Sequence, residues 1–99
     1  MAKTKKNTKK NKTPNILQDL WEYDDELIAL TGYDDCILGI VSRIDFSPVI
    51  CYDTEKIIKR LMKDKMTYEE AVEFFEFNII GAYFGSRTPC FMGKLDQLY

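Results

Sequence analysis

Carboxylates and thiols are the side chains in this 99-residue sequence best equipped for chemistry. Two acidic pairs, Asp24-Asp25 and Asp34-Asp35, stand ten residues apart, each behind a tyrosine, in YDDELIAL and YDDCILGI. Paired carboxylates supply the hard oxygen ligands that suit Mg2+. Adjacent acids diverge on a helix, however, and no third ligand set accompanies them, so no metal is assigned. Cys36, Cys51 and Cys90 lie in apolar surroundings (CILGI, VICYD, PCFM), without a CxxC and in a sequence that lacks histidine. That excludes zinc sites of the usual Cys/His kind and reads as reduced, buried small hydrophobes. A nucleophilic cysteine needs a histidine or cationic partner, and none is evident. EF-hand spacing, a P-loop, GxGxxG and a nucleophile elbow are all missing. The expectation is a non-enzyme with no cofactor.

Charge is the stronger signal. The segment MAKTKKNTKKNK carries Lys3, Lys5, Lys6, Lys9, Lys10 and Lys12 and no acid, leaving eight basic and sixteen acidic side chains elsewhere, a formal −8. From Thr13 to Ser42 there are seven carboxylates and no basic residue. Like-charge repulsion and the lack of buriable surface predict a disordered basic arm over 1–14, bounded by Pro14, and one compact domain over 15–99. Such an arm can neutralise phosphates but has no aromatic or arginine for base readout, so it predicts weak, sequence-independent nucleic-acid contact. In LQDLWEYDDEL, Trp21 stands among Glu22, Asp24, Asp25 and Glu26, an acidic helical face with an aromatic anchor that suits a protein partner.

Positioning these residues requires a set of elements. One helix over 16–30 would bury Asp24 among Ile16, Leu17, Leu20, Trp21, Leu27 and Ile28, a costly place for a charge. The sequence therefore predicts a helix at about 15–22, capped by Asn15, and a second at about 25–31, stopped by Gly32. Each Asp after a tyrosine, Asp53 included, then reads as an N-cap or first-turn carboxylate. Residues 34–44 place apolar side chains at 36, 37, 40, 41 and 44, a helical period, while their β-branched content leaves a strand open. PVICYD reads as a strand, EKIIKRLMKDK as a helix with Ile57, Ile58, Leu61 and Met62 inward, and TPCFM as a strand able to pair with PVICY. Thr67-Tyr68-Glu69-Glu70 matches a capping box for a helix over 67–80. That helix buries Ala71, Val72, Phe74, Phe75 and Ile79, with about three phenylalanines inside as the main core anchor. Asn78 lies where it runs into IIGAYFGSRTP, and reads as a structural amide serving the unpaired backbone of a helix end. The fold class is α+β, a small helix-dominated domain with a two- or three-stranded sheet, strands near 48–52 and 88–92.

The stretches YDDCILGIV, PVICYDTEKIIKRLM and MTYEEAVEFFEFNIIGAYFGSRTPCF resemble a family of small proteins met among bacteriophage and bacterial open reading frames, with the pattern EEA.E.F.FN..GA..G..TP.F. The resemblance spans about residues 33–92 and leaves the basic arm outside. It implies a phage or prophage setting and carries over no catalytic residue. No apolar run reaches the roughly 20 residues of a membrane span, and no apolar h-region follows the lysines. The expected protein is a viral or bacterial interaction module in the host cytoplasm, binding a host or viral protein.

Overall fold

The structure is a computed structural model and describes residues 16–94. The lysine arm, Pro14 and the cap expected of Asn15 lie outside the described residues. Helix α1 spans Ile16–Tyr23 and α2 Thr54–Lys63; α3 spans Tyr68–Phe74 and continues as a π-helical segment over Phe75–Ile80. Strands β1 (Ile37–Arg43), β2 (Phe46–Asp53) and β3 (Cys90–Met92) form one sheet in that order. The first pair is antiparallel and the second parallel. The fold is α+β, as the pattern of elements predicts.

β2 is the central strand, and its alternate residues explain the core. Ile50 and Tyr52 are fully buried and join Ile57, Ile58 and Leu61 of α2, Ala71 of α3, and Phe75 and Ile79 of the π-helical segment. Phe91 of β3 closes this side, its ring 5.3 Å edge-on from Phe75 and 6.0 Å from Tyr52. β2 feeds α2 directly. Asp53, itself buried, accepts from the Glu55 N–H at 3.0 Å and the Lys56 N–H at 3.4 Å, which makes it the N-cap expected of it. The Thr67–Glu70 capping box forms in both directions, 3.1 Å and 2.9 Å.

Residues 34–44 are not a helix. Asp34–Cys36 make one 3-10 turn, Ile37–Arg43 are β1, and Ile44 is an exposed turn residue. The helical period has a physical source. Ile37 pairs with Tyr52 and Ile40 with Ile50, so a three-residue step on β1 faces a two-residue step on β2. The extra residue, Leu38, forms a bulge that returns both isoleucines to the core face.

The helix expected over 25–31 is also absent. Its backbone groups are claimed by distant side chains instead. The Trp21 indole N–H donates to Leu27 O at 3.0 Å, and the Leu30 N–H donates to the Tyr52 hydroxyl at 2.7 Å. Leu27 is buried, so the segment packs as an irregular strap across the core. Met62, expected inward, is 40% exposed on the outer side of α2.

Candidate interaction surface

The acidic segment behind Trp21 is held together by Arg87. Its Nε donates to Pro48 O at 3.0 Å, Nη1 reaches Glu26 at 3.3 Å, and Nη2 pairs with Asp24. The Arg87 side chain is only 14% exposed. Asp24 does not start a helix. It follows α1 and accepts the Glu26 N–H at 3.0 Å, an Asx turn. That backbone bond, and then the Arg87 guanidinium, hold the Asp24 carboxyl below the usual range against the opposing effect of desolvation. Two of the five residues expected to meet a partner, Asp24 and Glu26, therefore already serve an internal guanidinium. Trp21 is 40% exposed with its N–H occupied, while Glu22 and Asp25 face outward. Sequence reasoning missed Arg87 because its partners lie 39 to 63 residues away.

Asp34 and Asp35 do not converge with Asp24 and Asp25. Asp35 instead pairs with Arg60 of α2 at 2.7 Å, and Arg60 also lies over the Tyr33 ring. Cys36 beside it is buried, and that burial, with the Asp35 charge, pushes its thiol up. No cluster of three potential metal ligands exists among the described residues.

The Phe-rich stretch divides cleanly. Phe75 and Ile79 are inside and Phe74 is half-buried, whereas Phe77 is 73% exposed, so one phenylalanine of the three is fully in the core. Asn78 is exposed too, which removes the basis for a buried amide serving the helix end. It lines a groove with Met66, Glu70, Glu73, Phe74 and Phe77. The close approach at the helix end belongs to Gly81: a Cβ there would sit 3.2 Å from the carbonyl oxygens of Glu76 and Phe77. Ile80 just before it, and Tyr83 and Phe84 in the loop beyond it, are all exposed. Their loop is nonetheless fixed. Gly85 takes a positive φ of 96°, Thr88 Oγ1 accepts the Phe84 N–H at 2.8 Å and donates to Gly85 O at 2.6 Å, and Arg87 anchors the far end.

A basic ridge lies elsewhere. Lys56, Lys59, Arg60 and Lys63, one face of α2 by helical spacing, line a groove with Asp35 and Cys36. Among the described residues no helix is long and apolar enough to cross a membrane. No family model, curated protein or solved structure matches the chain.

Proposed function

We propose that this chain is a non-enzymatic binding module that docks a partner protein through an acidic, aromatic helical surface. The observation that carries this reading is the exposure of Phe77, Ile80, Tyr83 and Phe84 within eight residues, on a π-helical segment and a loop pinned by Arg87 and Thr88. Large apolar side chains held out in water by a fixed backbone cost little ordering on association. π-Helical turns are rare and concentrate at functional sites. Glu70 and Glu73 line the adjoining groove and Glu76 is exposed beside Phe77, so the partner that fits is apolar with a basic border. Trp21 and Glu22 of α1 and Asp25 in the turn after it offer the same chemistry. A host or viral identity for the partner rests on the resemblance to phage and bacterial proteins alone.

The test is capture on immobilised wild type and on a Phe77→Ser/Tyr83→Ser variant. Both side chains are mostly solvated, so the variant keeps its fold. A bacterial protein retained by wild type, released by salt and lost with the variant is the expected result. Equal recovery on both overturns the proposal, and loss with Trp21→Ala alone moves the contact to α1.

A second reading, weak nucleic-acid binding through the lysine arm, is favoured by the α2 ridge of Lys56, Lys59, Arg60 and Lys63. Six arm lysines on six phosphates give a log–log salt slope of about −5. Deleting residues 1–12 should weaken binding and flatten the salt slope, with the α2 ridge keeping a remnant. Sequence preference, or binding unchanged by the deletion, refutes it.

A further inference from the structure

The three cysteines separate into one and two. Cys36 is buried in the 3-10 turn, its thiol directed at the Asp35 carboxylate at 3.8 Å. Cys51 and Cys90 are register partners on the parallel strands β2 and β3. Paired residues on adjacent strands project from the same face of a sheet, and Tyr52 and Phe91, the next pair, point to the core. Cys51 and Cys90 therefore lie side by side on the opposite face. Their strands run about 4.7–4.9 Å apart, inside the roughly 4.4–6.8 Å of Cα separation that a disulfide spans. Cys51 Sγ reaches Tyr52 O at 3.9 Å, and burial first, then the neighbouring Cys90 thiol, pushes the Cys51 thiol up to about 11. Cys51 is buried and Cys90 half-buried, so one member of the pair is open to a small reagent.

We propose that Cys51 and Cys90 form an oxidative modification site, a cross-strand dithiol that a peroxide converts to an intramolecular disulfide. The Cys90 sulfur, the more accessible, attacks one peroxide oxygen; the O–O bond breaks, Cys90 becomes a sulfenic acid and the first water leaves. The Cys51 sulfur then displaces the hydroxyl from Cys90, the S–S bond forms and a second water departs. Two thiols lose two electrons and two protons, and the peroxide is reduced to two waters. Burial raises the Cys51 thiol and slows the second step, because the thiolate is the attacking form. Once closed, the bridge ties β2 to β3 across 39 residues of chain, which includes α2, α3 and the Arg87 loop. Closing that loop constrains the unfolded chain and raises the unfolding temperature.

The experiment uses the reduced full chain and hydrogen peroxide, followed by thiol counting under denaturing conditions and intact and peptide mass measurement. The expected count falls from three to one. The mass drops by two hydrogen atoms, a peptide pair joins Cys51 to Cys90, and a reducing phosphine restores the starting state. Cys36→Ser forms the same bridge, while Cys51→Ser stops at oxidised Cys90 or at a dimer linked through it. Three outcomes each overturn the proposal: a bridge that includes Cys36, a dimer of the wild-type chain, or Cys90 carried to sulfinic acid with Cys51 still free.

Discussion

Replacing Tyr52 with phenylalanine removes a single oxygen and leaves the ring in place. Tyr52 is fully buried, and its hydroxyl accepts the Leu30 N–H at 2.7 Å, the bond that fastens the irregular 24–33 strap to the central strand. Phenylalanine keeps the ring contact with Phe91 but leaves that N–H without its acceptor. An unsatisfied buried donor costs about 1–3 kcal/mol. Leu30 is half-buried, so some water reaches the site and the lower part of that range applies, about 1–2 kcal/mol. For a domain of this size each kcal/mol moves the unfolding midpoint by about 4–8 °C, which gives a fall of about 5–15 °C. The assay is urea unfolding followed both by far-ultraviolet circular dichroism and by the emission of Trp21, the only tryptophan. Trp21 donates to Leu27 O within the same strap, so its emission reports loosening there before global unfolding. An unchanged urea midpoint at unchanged slope, with the two signals still coincident, would show that this hydroxyl does not fasten the strap.

Three further outcomes follow from the same geometry. Asp53→Ala strips the cap from α2 and should cost about 0.5–2 kcal/mol in urea unfolding; a null effect would mean that water caps the helix equally well. Phe75→Ala should cost about 3–5 kcal/mol while Phe77→Ser stays within about 0.5, and equal losses would refute the division of that helix into buried and exposed phenylalanines. The folded Asp24 carboxyl titrates below its ordinary 3.8, so its contribution is complete above that value and is lost as pH falls through the folded pKa. Between pH of about 5 and about 2, wild type should therefore lose stability more steeply than Asp24→Asn, and parallel profiles would contradict the Asx-turn and Arg87 contacts.

Elements governed by neighbours along the chain were legible in the sequence. The break after Tyr23, the Asp53 cap, the Thr67 capping box and the strand around PVICYD each depend on residues within about one turn, and each stands where local chemistry places it. The misreadings arise where contacts outside the local pattern decide the outcome. Residues 25–31 have helical apolar spacing, yet Tyr52 and Trp21 take the Leu30 N–H and the Leu27 carbonyl. At β1, a one-residue bulge at Leu38 mimics the helical period, and no pattern count along one strand reveals its partner's register. The acidic surface was half legible: Trp21 is partly open as its surroundings suggested, but Asp24 and Glu26 already pair with the Arg87 guanidinium. Asn78 drew attention by its apolar neighbours, whereas the stereochemical demand at that helix end falls on Gly81.

The parallel pairing of β2 with β3 sets the order in which the domain can assemble. β1 and β2 meet across a two-residue turn, a closure that takes microseconds. β3 follows α2, α3 and the π segment along the chain, so its pairing with β2 closes the longer of the two loops in the sheet. The three residues of β3 are held through Phe91, whose ring meets both Tyr52 and Phe75. Refolding should therefore show a fast hairpin phase and a slower docking phase, and Phe91→Leu should retard the second alone.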